Sequence, residues 1–556
     1  VQSMIRSVGW WLAVGFALAL AQPVGVLAQD AGTYMDYEEL TSAVRGLEGN
    51  LVQLSSLATS NAGRDVWLLT LGSSDGRALD QRPALLVVAN LEANRIAGSH
   101  AALRFAERLV AGYGSDPDVT ELLDTRTIYV VPRANPDGAE LVFTLPGVET
   151  PYKPYQGNTA AGGLNARELG RDIDGDGLVT MMRVQRPGGA FASDTIAPRL
   201  MREAVRAREE RGAFDVMPEG IHPDSLEAYV ALGSDGVNLN LNFQHEYQYF
   251  EPHVGPHMIS EPESKALADF LFEHTNVAAV LVWSAFDNLR SPTPTNRTPP
   301  PAVTGNPPDV PTNLADDDRP YFEYVSEQFH EATGLSGAGA PNEGGSFPQF
   351  TYYQMGLPSF TTPVWAPPAG EGSEDTRWLA LFDSLGVDGF VDWGPATHPQ
   401  LGDVEVGGFV PNARVIPPAA ELDGLLERHV DFAFWIAERL PEVEVAETVV
   451  EARGEGVWSV TVTLANEGYF PTQLALAERI RFNRPISVRL LPSSNITLLS
   501  ESLQHQIPRL EGMSGRADFH WLIQAPAGTA ATIEVFAERA GGLITVPVTL
   551  SGGDDR

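Results

Sequence analysis

The sequence contains no cysteine among its 556 residues. Disulfide bonds, thiolate metal ligands and cysteine nucleophiles are therefore excluded, and any transition metal must be bound by His, Asp or Glu. Basic side chains are scarce as well, because 37 Lys and Arg face 72 Asp and Glu, which gives a formal net charge of -35. A chain this acidic repels nucleic acid, so no nucleic acid is expected as a partner.

Long apolar runs are lacking except near the beginning of the sequence. There, a run from Val8 to Leu20 follows Arg6 and precedes Val26-Leu27-Ala28, a pattern typical of a secretory signal peptide. A membrane anchor is the alternative, but the run is shorter than the roughly 20 residues that span a bilayer, and no second such run follows. We expect a signal peptide over residues 1–28 and an exported product, periplasmic or secreted, with no membrane span after cleavage.

The composition is that of a globular protein, with 43% hydrophobic and 20% charged residues. Between residues 34 and 440, apolar runs such as Ala84–Val88 and Val277–Trp283 alternate with segments of helical periodicity. Continuous apolar runs of this length favour strands that are buried on both faces. Ser260-Glu261-Pro262-Glu263 fits a capping box at the start of a helix. The pattern predicts an α/β fold with a mixed, mostly parallel sheet and helices on both faces.

The pattern of apolar and polar residues changes after residue 440. Trp458, Val460, Val462 and Leu464 alternate with polar residues, and further short alternating segments follow, separated by turn residues. Short strands of this kind predict an antiparallel β-sandwich. We assign residues 34–440 to the α/β domain and residues 441–556 to an Ig-like β-sandwich.

Four segments, a Ser-Glu-Pro-Glu box and a His-Pro-Gln-Leu-Gly stretch occur in a characteristic order. The segments are Ala89-Asn90-Leu91-Glu92-Ala93-Asn94-Arg95 through Gly98, Pro132-Arg133-Ala134-Asn135-Pro136-Asp137-Gly138, Gly236-Val237-Asn238-Leu239-Asn240-Leu241-Asn242-Phe243, and Gly356-Leu357-Pro358-Ser359-Phe360-Thr361. Together they resemble the M14 zinc carboxypeptidases over residues 34–440. The resemblance implies an eight-stranded mixed sheet with the active site at the carboxyl ends of its strands. It also implies zinc bound by His-x-x-Glu and a second His, with a separate Glu as general base.

Aligned on these segments, the sequence departs from the family pattern at every key position. The His-x-x-Glu ligands become Glu92 and Arg95, the second His becomes Ser284, and the general base becomes Pro363. A guanidinium has no lone pair to give to a metal, and proline cannot abstract a proton. We therefore expect that zinc is not bound and that no catalytic residue of the family remains. Glu92, Arg95 and Ser284 are called the degenerate zinc position below.

The replacements suggest a use for the cleft. We expect Glu92 and Arg95 to form an ion pair at the degenerate zinc position, the alternative being that both are solvated and unrelated. Arg133, Asn135 and Asn240 lie in segments that border the cleft in the family, so they are expected to contact a ligand. The first hypothesis is a zinc-free pseudoenzyme that binds peptides or cell-envelope fragments. The alternatives are an active metallocarboxypeptidase with an unrecognised metal site, and a structural or adhesive protein acting through the β-sandwich.

One metal-binding pattern is intact. Asp172, Asp174 and Asp176 occupy alternate positions, and Gly175 between them permits a tight turn, as in the first half of a calcium loop. The twelfth position, a Glu in an EF-hand, is Arg183, so an EF-hand is excluded. Calcium is the candidate cation of this loop, and a polar turn on an acidic surface is the alternative.

Overall fold

The computed structural model describes residues 32–149, 151–154, 171–205, 210–220, 236–292, 312–491, 493–513 and 515–551. The expected signal peptide, residues 1–28, lies outside the described residues. Within the described ranges, no helix combines the length and the hydropathy that a membrane crossing requires.

Helices and strands alternate through the first three quarters of the chain. The helices of the described residues are α1 (Tyr37–Gly46), α2 (Ile96–Gly112), α3 (Pro117–Thr125), α4 (Pro136–Thr144), α5 (Pro262–Glu273), α6 (Arg319–Thr333), α7 (Phe347–Gln349), α8 (Glu374–Leu385), α9 (Ala419–Glu438) and α10 (Ala475–Ile480), with a π-helical turn at Phe350–Gln354. The strands up to residue 409 are β1 (Val52–Thr59), β2 (Asp65–Leu71), β3 (Ala84–Ala89), β4 (Thr127–Val131), β5 (Lys153–Pro154), β6 (Met181–Gly189), β7 (Phe191–Ser193), β8 (Met201–Glu203), β9 (Gly212–Pro218), β10 (Gly236–Val237), β11 (Val277–Trp283), β12 (Ser359–Thr362), β13 (Phe390–His398) and β14 (Gly402–Phe409). The later strands are β15 (Val443–Gly454), β16 (Val457–Asn466), β17 (Ile486–Leu491), β18 (Thr497–Leu498), β19 (Gln504–Ile507), β20 (Gly515–Gln524), β21 (Ala530–Ala537) and β22 (Gly542–Thr549).

The central sheet has the strand order β1-β2-β4-β3-β11-β12. Its β4–β3, β3–β11 and β11–β12 pairs are parallel, and the two pairs at the β1 side are antiparallel. The mixed, mostly parallel α/β sheet is confirmed. The described residues form six strands of this sheet, against the eight that the resemblance implies. The β13–β14 hairpin pairs with β6 in a separate antiparallel sheet, where Arg183 and Glu405 form a salt bridge of 2.9 Å.

Strand β3 shows why the sheet is covered on both faces. All six of its residues are buried. Leu85 and Val87 belong to the core formed with α2 and α9, whereas Leu86 and Val88 belong to the core formed with α5. Alternate side chains of a strand point to opposite faces, so an uninterrupted apolar strand needs a hydrophobic layer on each side.

The expected capping box before α5 does not form. The helix begins at Pro262, and Glu261 at its N-cap makes no capping bond through its side chain. Instead, Lys153 Nζ donates to Glu261 at 2.8 Å and to Glu263 at 2.7 Å, and the Lys153 side chain is fully buried. Burial alone lowers the pKa of Lys153, but the charges of Glu263 and Glu261 outweigh it and raise that pKa. The Ser-Glu-Pro-Glu box therefore holds a buried ammonium, a role that its local sequence does not reveal.

The C-terminal region is an antiparallel β-sandwich, as expected. Its two four-stranded sheets have the orders β15-β16-β20-β18 and β19-β17-β21-β22. Trp458, Val460, Val488, Trp521 and Ile533 lie in the core shared by the two sheets. The chain passes from the end of α9 at Glu438 to the start of β15 at Val443.

The sandwich contributes a segment to the core of the α/β region. Phe470, Leu474, Leu476 and Ala477 belong to the same buried cluster as β3 and α2, and we call residues 470–477 the docking segment. The buried Asp318 carboxylate accepts hydrogen bonds from the backbone N–H of Ala475 at 2.6 Å and of Leu476 at 3.1 Å. The docking segment thus packs into the hydrophobic core of the α/β region, while the two sheets of the sandwich keep their own core.

Candidate functional site

The carboxyl ends of the parallel strands bring the degenerate zinc position together. Glu92 and Arg95 follow β3, Ser284 follows β11, and Pro363 follows β12. The chain turns sharply after β3 because Asn90 adopts φ 60°, and its side-chain amide donates to the carbonyls of Glu92 and Ala93, each at 3.0 Å. In open α/β sheets, ligands bind at this edge of the sheet.

Glu92 is buried and is held inside the protein. Its Oε1 accepts a hydrogen bond of 2.8 Å from Asn240 Nδ2, and Asn240 Oδ1 accepts the backbone N–H of Phe347 at 2.9 Å. Glu92 Oε2 has no hydrogen-bond partner among the described residues. Burial raises the pKa of Glu92, and the Asn240 bond and the Arg95 charge offset this only in part. Asn240, expected to contact a ligand, is itself fully buried and serves to hold Glu92.

Arg95 does not form the expected ion pair. The two side chains, both within the described residues, make no salt bridge; only their backbones meet, with Arg95 N–H donating to the Glu92 carbonyl at 3.1 Å. The physical reason is that the Glu92 carboxylate is bound to Asn240 in the interior, whereas Arg95 remains partly exposed at the start of α2. Burial lowers the pKa of Arg95, and the charges of Glu92, Glu149 and Glu374 act in the opposite direction. No side chain of the described residues pairs with the Arg95 guanidinium.

Ser284 completes the degenerate zinc position. Its hydroxyl lies 2.8 Å from Thr361 Oγ1 and accepts the backbone N–H of Phe286 at 3.1 Å. A cavity of about 10 Å³ lies between Arg95, Ser284 and Trp283. That volume is close to the minimum that holds one water molecule.

The residues at this position do not fit zinc. A catalytic zinc site needs three protein ligands that supply nitrogen, oxygen or sulfur lone pairs. Here Glu92 can offer one carboxylate oxygen, the second side chain is a guanidinium without a lone pair, and the third is a hydroxyl engaged with Thr361, so three ligands are not available. In the ranges that the structure describes, three metal-binding side chains converge at Asp172, Asp174 and Asp176 and not at the edge of the sheet.

Arg133 and Asn135, which are expected to contact a ligand, hold the neighbouring loops. Arg133 is buried, and its guanidinium donates to the Met35 carbonyl at 2.8 Å and to Ser99 Oγ at 3.3 Å. Burial lowers the pKa of Arg133 to about 10. Asn135 caps α4 by accepting the backbone N–H of Gly138 at 3.0 Å, and it donates to the Leu91 carbonyl at 3.2 Å. These bonds fix the loops after β3 and β4 relative to each other.

The Asp172 loop brings its three carboxylates together. Ligand oxygens of Asp172, Asp174 and Asp176 all lie within 4.8 Å of one another. Gly175 and Gly177 adopt φ 82° and 89°, so the chain turns tightly between the acidic residues. This clustering of hard oxygen ligands suits a calcium ion.

A fourth carboxylate behind the loop was not anticipated from the sequence. Glu219 is fully buried and accepts the backbone N–H groups of Ile173 at 2.6 Å and Thr180 at 2.9 Å, which flank the loop. Burial raises the pKa of Glu219 to about 7, and the charges of Asp174 and Asp172 act in the same direction. The signal for it was weak, because Glu219 lies far along the chain from the Asp172 loop.

Comparison with known proteins establishes the family. The profile of the zinc carboxypeptidases, Peptidase_M14, matches residues 37–423, and a profile described as a domain of unknown function, DUF8731, matches residues 442–546. Because the first match covers more than half of the chain, this protein belongs to the zinc carboxypeptidase family.

Individual relatives match only short stretches. A zinc carboxypeptidase of Saccharothrix mutabilis subsp. capreolus is 36% identical over 117 residues, which is 21% of this chain and 26% of that protein. Carboxypeptidase D of Rattus norvegicus is 31% identical over 146 residues, which is 26% of this chain and 10% of that protein. The crystal structure of carboxypeptidase A from Helicoverpa armigera matches with a TM-score of 0.41 and 14% identity, and the match covers 73% of each chain. The chain thus spans 26% and 10% of the length of these two curated relatives.

Proposed function

We propose that this protein is an exported member of the family without zinc-peptidase activity, and that its cleft binds peptides or cell-envelope fragments through a carboxylate group. The observation that carries the proposal is Arg95, a partly exposed guanidinium at the degenerate zinc position that makes no side-chain pair with any described residue. A guanidinium stays charged at all physiological pH values, and its planar donors match a carboxylate in two parallel hydrogen bonds.

The space beside Arg95 suits the terminal carboxylate of a ligand rather than a bulky side chain or a sugar ring. The adjoining cavity of about 10 Å³ has room for one water molecule, which a carboxylate oxygen can replace. Glu149 and Glu374 act electrostatically on Arg95 and compete with an anionic ligand. We therefore expect the affinity for a carboxylate ligand to rise when Glu149 or Glu374 is replaced by a neutral residue.

The test compares a short peptide carrying a free C-terminal carboxylate with the same peptide carrying a C-terminal amide. We expect calorimetry to show about tenfold tighter binding of the acid, a preference that Arg95→Met abolishes and Glu149→Gln increases. Arg104→Met is the matched control, because Arg104 lies on the same helix with its salt bridges to Asp423 and Glu427 at the surface. Equal binding of acid and amide would contradict the proposal. Release of the C-terminal residue, stopped by a chelator, would establish the active-enzyme alternative.

We further propose that the Asp172 loop binds calcium. Support comes from the three converged carboxylates and from Glu219, which fixes the backbone on both sides of the loop. Calorimetry on chelator-treated protein should show one calcium site, and Asp174→Asn should weaken it by at least tenfold. Asp403→Asn, at an exposed acidic residue elsewhere, should leave it unchanged. Absence of calcium binding at millimolar concentration would contradict the assignment.

Export is also part of the proposal and rests on the sequence pattern of residues 1–28. Expression of the full chain in a bacterial host, followed by mass spectrometry of the exported fraction, should give a product that begins near Gln29. Retention of the uncleaved chain in the cytoplasm would contradict export.

A further inference from the structure

A positively charged stretch of the sandwich has no role in the function proposed above. Residues 479–489, called the cationic segment below, contain four arginines and no acidic residue, in a chain that has 37 basic and 72 acidic side chains. The segment begins in the last turn of α10, directly after the docking segment, and runs into β17. A local excess of positive charge attracts anions, against the net charge of -35 of the whole chain.

The cationic segment lines a groove of about 760 Å³. Arg479, Arg481 and Arg509 lie in its wall, together with two acidic residues, Asp317 and Glu478. The Arg479 and Arg481 side chains are exposed, and neither forms a salt bridge with a residue that the structure describes. The groove is larger than a single phosphate or carboxylate group, so it has room for a ligand that carries several of them.

Arg509 differs from the other two arginines of the groove. Its guanidinium lies 2.6 Å from the carboxylate of Glu511, so its charge is already paired within the protein. The direct contacts of an anionic ligand are therefore assigned to Arg479 and Arg481, which a ligand reaches without breaking an existing ion pair.

Arg481 has a backbone conformation that disfavours an arginine. It ends α10 at φ 55° and ψ 32°, in the left-handed region, and its backbone N–H donates to the Ala477 carbonyl at 3.0 Å. Glycine is the usual residue at such a helix end, because it has no Cβ atom to oppose a positive φ. Residues held in this region cluster at functional sites, so the conformation is a second indication that the Arg481 side chain has a function.

Two side-chain amides lie where the groove adjoins a smaller cavity of about 10 Å³. Gln473 and Asn483 line both spaces. Gln473 is 8% exposed, and its Nε2 donates to the Pro508 carbonyl. Gln473 Oε1 and both amide atoms of Asn483 have no hydrogen-bond partner among the described residues. The small cavity has room for one water molecule, through which these buried atoms can bind a ligand in the groove.

We propose that this groove binds a small polyanion, a ligand with at least two neighbouring phosphate or carboxylate groups. Guanidinium groups bind both kinds of oxyanion through paired N–H donors. Two exposed guanidinium groups in one wall favour a ligand with two anionic groups over a ligand with one. Arg95 does not line this groove, so the proposal is independent of carboxylate binding in the cleft.

The test measures the binding of triphosphate, citrate and orthophosphate to the full chain by calorimetry. Chelator-treated protein in metal-free buffer is used, because triphosphate and citrate also bind calcium. We expect one saturable site that binds triphosphate or citrate about tenfold more tightly than orthophosphate, and the tighter of the two identifies the class of oxyanion. If neither binds more tightly than orthophosphate, the proposal is wrong.

Arg481→Gly separates loss of the site from loss of the fold. Glycine suits φ 55°, so this variant should not lower the midpoint of urea unfolding, yet it should weaken polyanion binding by about tenfold. Arg489→Gln is the matched control, because Arg489 is an exposed arginine of the same cationic segment that does not line the groove. Its affinity should equal that of the parent chain. Equal weakening in both variants would indicate non-specific attraction by charge and would overturn the proposal.

Two further variants test the sign of the charge and the location of the site. Glu478→Gln removes an acidic side chain from the wall of the groove and should raise the affinity for the polyanion by about threefold. Arg95→Met should leave this affinity unchanged. No gain in Glu478→Gln would contradict binding beside this residue, and loss of binding in Arg95→Met would assign the polyanion to the cleft and overturn the groove site.

Discussion

Asn240 Nδ2 donates a hydrogen bond of 2.8 Å to Glu92 Oε1 at the position where the family places a zinc ligand. The same Asn240 side chain accepts the backbone N–H of Phe347, so it links the loop after β3 to the start of α7. The Asn240 bond engages one oxygen of the Glu92 carboxylate and fixes the orientation of this side chain inside the protein. The degenerate zinc position is therefore tied into the fold.

Removal of the Asn240 amide should destabilise the protein. Asn240→Ala leaves the buried Glu92 carboxylate and the Phe347 N–H without partners, and the expected loss is about 3 kcal/mol in the free energy of unfolding. Glu92→Gln should change it by less than about 1 kcal/mol, because an amide oxygen still accepts the Asn240 bond and a buried charge disappears. Urea denaturation measures both. Equal stability of Asn240→Ala and the parent chain would contradict the account of this bond.

The zinc site should be recoverable by substitution. The triple variant Glu92→His, Arg95→Glu and Ser284→His restores the ligand types of the family, and we expect it to retain about one zinc per chain after dialysis. The matched control is the double variant Glu92→His and Ser284→His, which keeps the Arg95 cation and should retain far less zinc. Zinc content by mass spectrometry distinguishes the two, and equal zinc in both variants would show that Arg95 does not exclude the metal.

His429 should make stability dependent on pH. Its buried ring accepts the Trp283 Nε1–H at 3.2 Å and contacts the Val364 carbonyl at 3.2 Å, and burial lowers its pKa to about 4. In the unfolded chain this histidine has its ordinary pKa near 6.5. Between these values the unfolded state binds the extra proton, so this stabilising contribution is present above about pH 6.5 and is lost as the pH falls.

The effect of His429 is measurable against a neutral replacement. Its contribution between pH 7 and pH 5 amounts to about 2 kcal/mol of the free energy of unfolding. His429→Gln can make both hydrogen bonds without titrating. Between pH 7 and pH 5, the free energy of unfolding of this variant should therefore fall by about 2 kcal/mol less than that of the parent chain. Parallel pH profiles of the two proteins in urea denaturation would contradict a buried neutral His429.

The sandwich should depend on the docking segment for its attachment. Asp318 accepts the backbone N–H groups of Ala475 and Leu476 and the Tyr352 hydroxyl, so Asp318→Ala leaves three buried donors unpaired. We expect a loss of about 3 kcal/mol in the free energy of unfolding. Asp317→Ala, at the exposed neighbouring position, should have little effect. A stability of Asp318→Ala equal to that of Asp317→Ala would contradict this role.

The sequence predicts local elements well because their signals are local. The apolar run of β3 and the alternation of β16 suffice to predict a doubly buried strand and a sandwich strand. Alignment on the family segments also predicts that Glu92, Arg95 and Ser284 converge, because the carboxyl ends of parallel strands share one edge. These predictions need no knowledge of side-chain pairing.

Side-chain pairings between residues far apart in the chain were not predicted from the sequence. Lys153 reaches Glu261 and Glu263, and Glu219 reaches the Asp172 loop, across separations that carry no periodic signal. The Glu92–Arg95 ion pair was expected from spacing alone, but the competing Asn240 bond comes from a different loop. Tertiary contacts of this kind decide which polar groups are satisfied, and local sequence does not contain them.

The zinc content of the purified mature protein tests the central claim most directly. The protein is incubated with excess zinc, dialysed, and analysed by mass spectrometry for metal per chain. We expect zinc far below one per chain, because Glu92 alone offers a carboxylate oxygen, Arg95 is a cation and the Ser284 hydroxyl is bound to Thr361. One zinc per chain that survives dialysis and is lost in Glu92→Gln would contradict it.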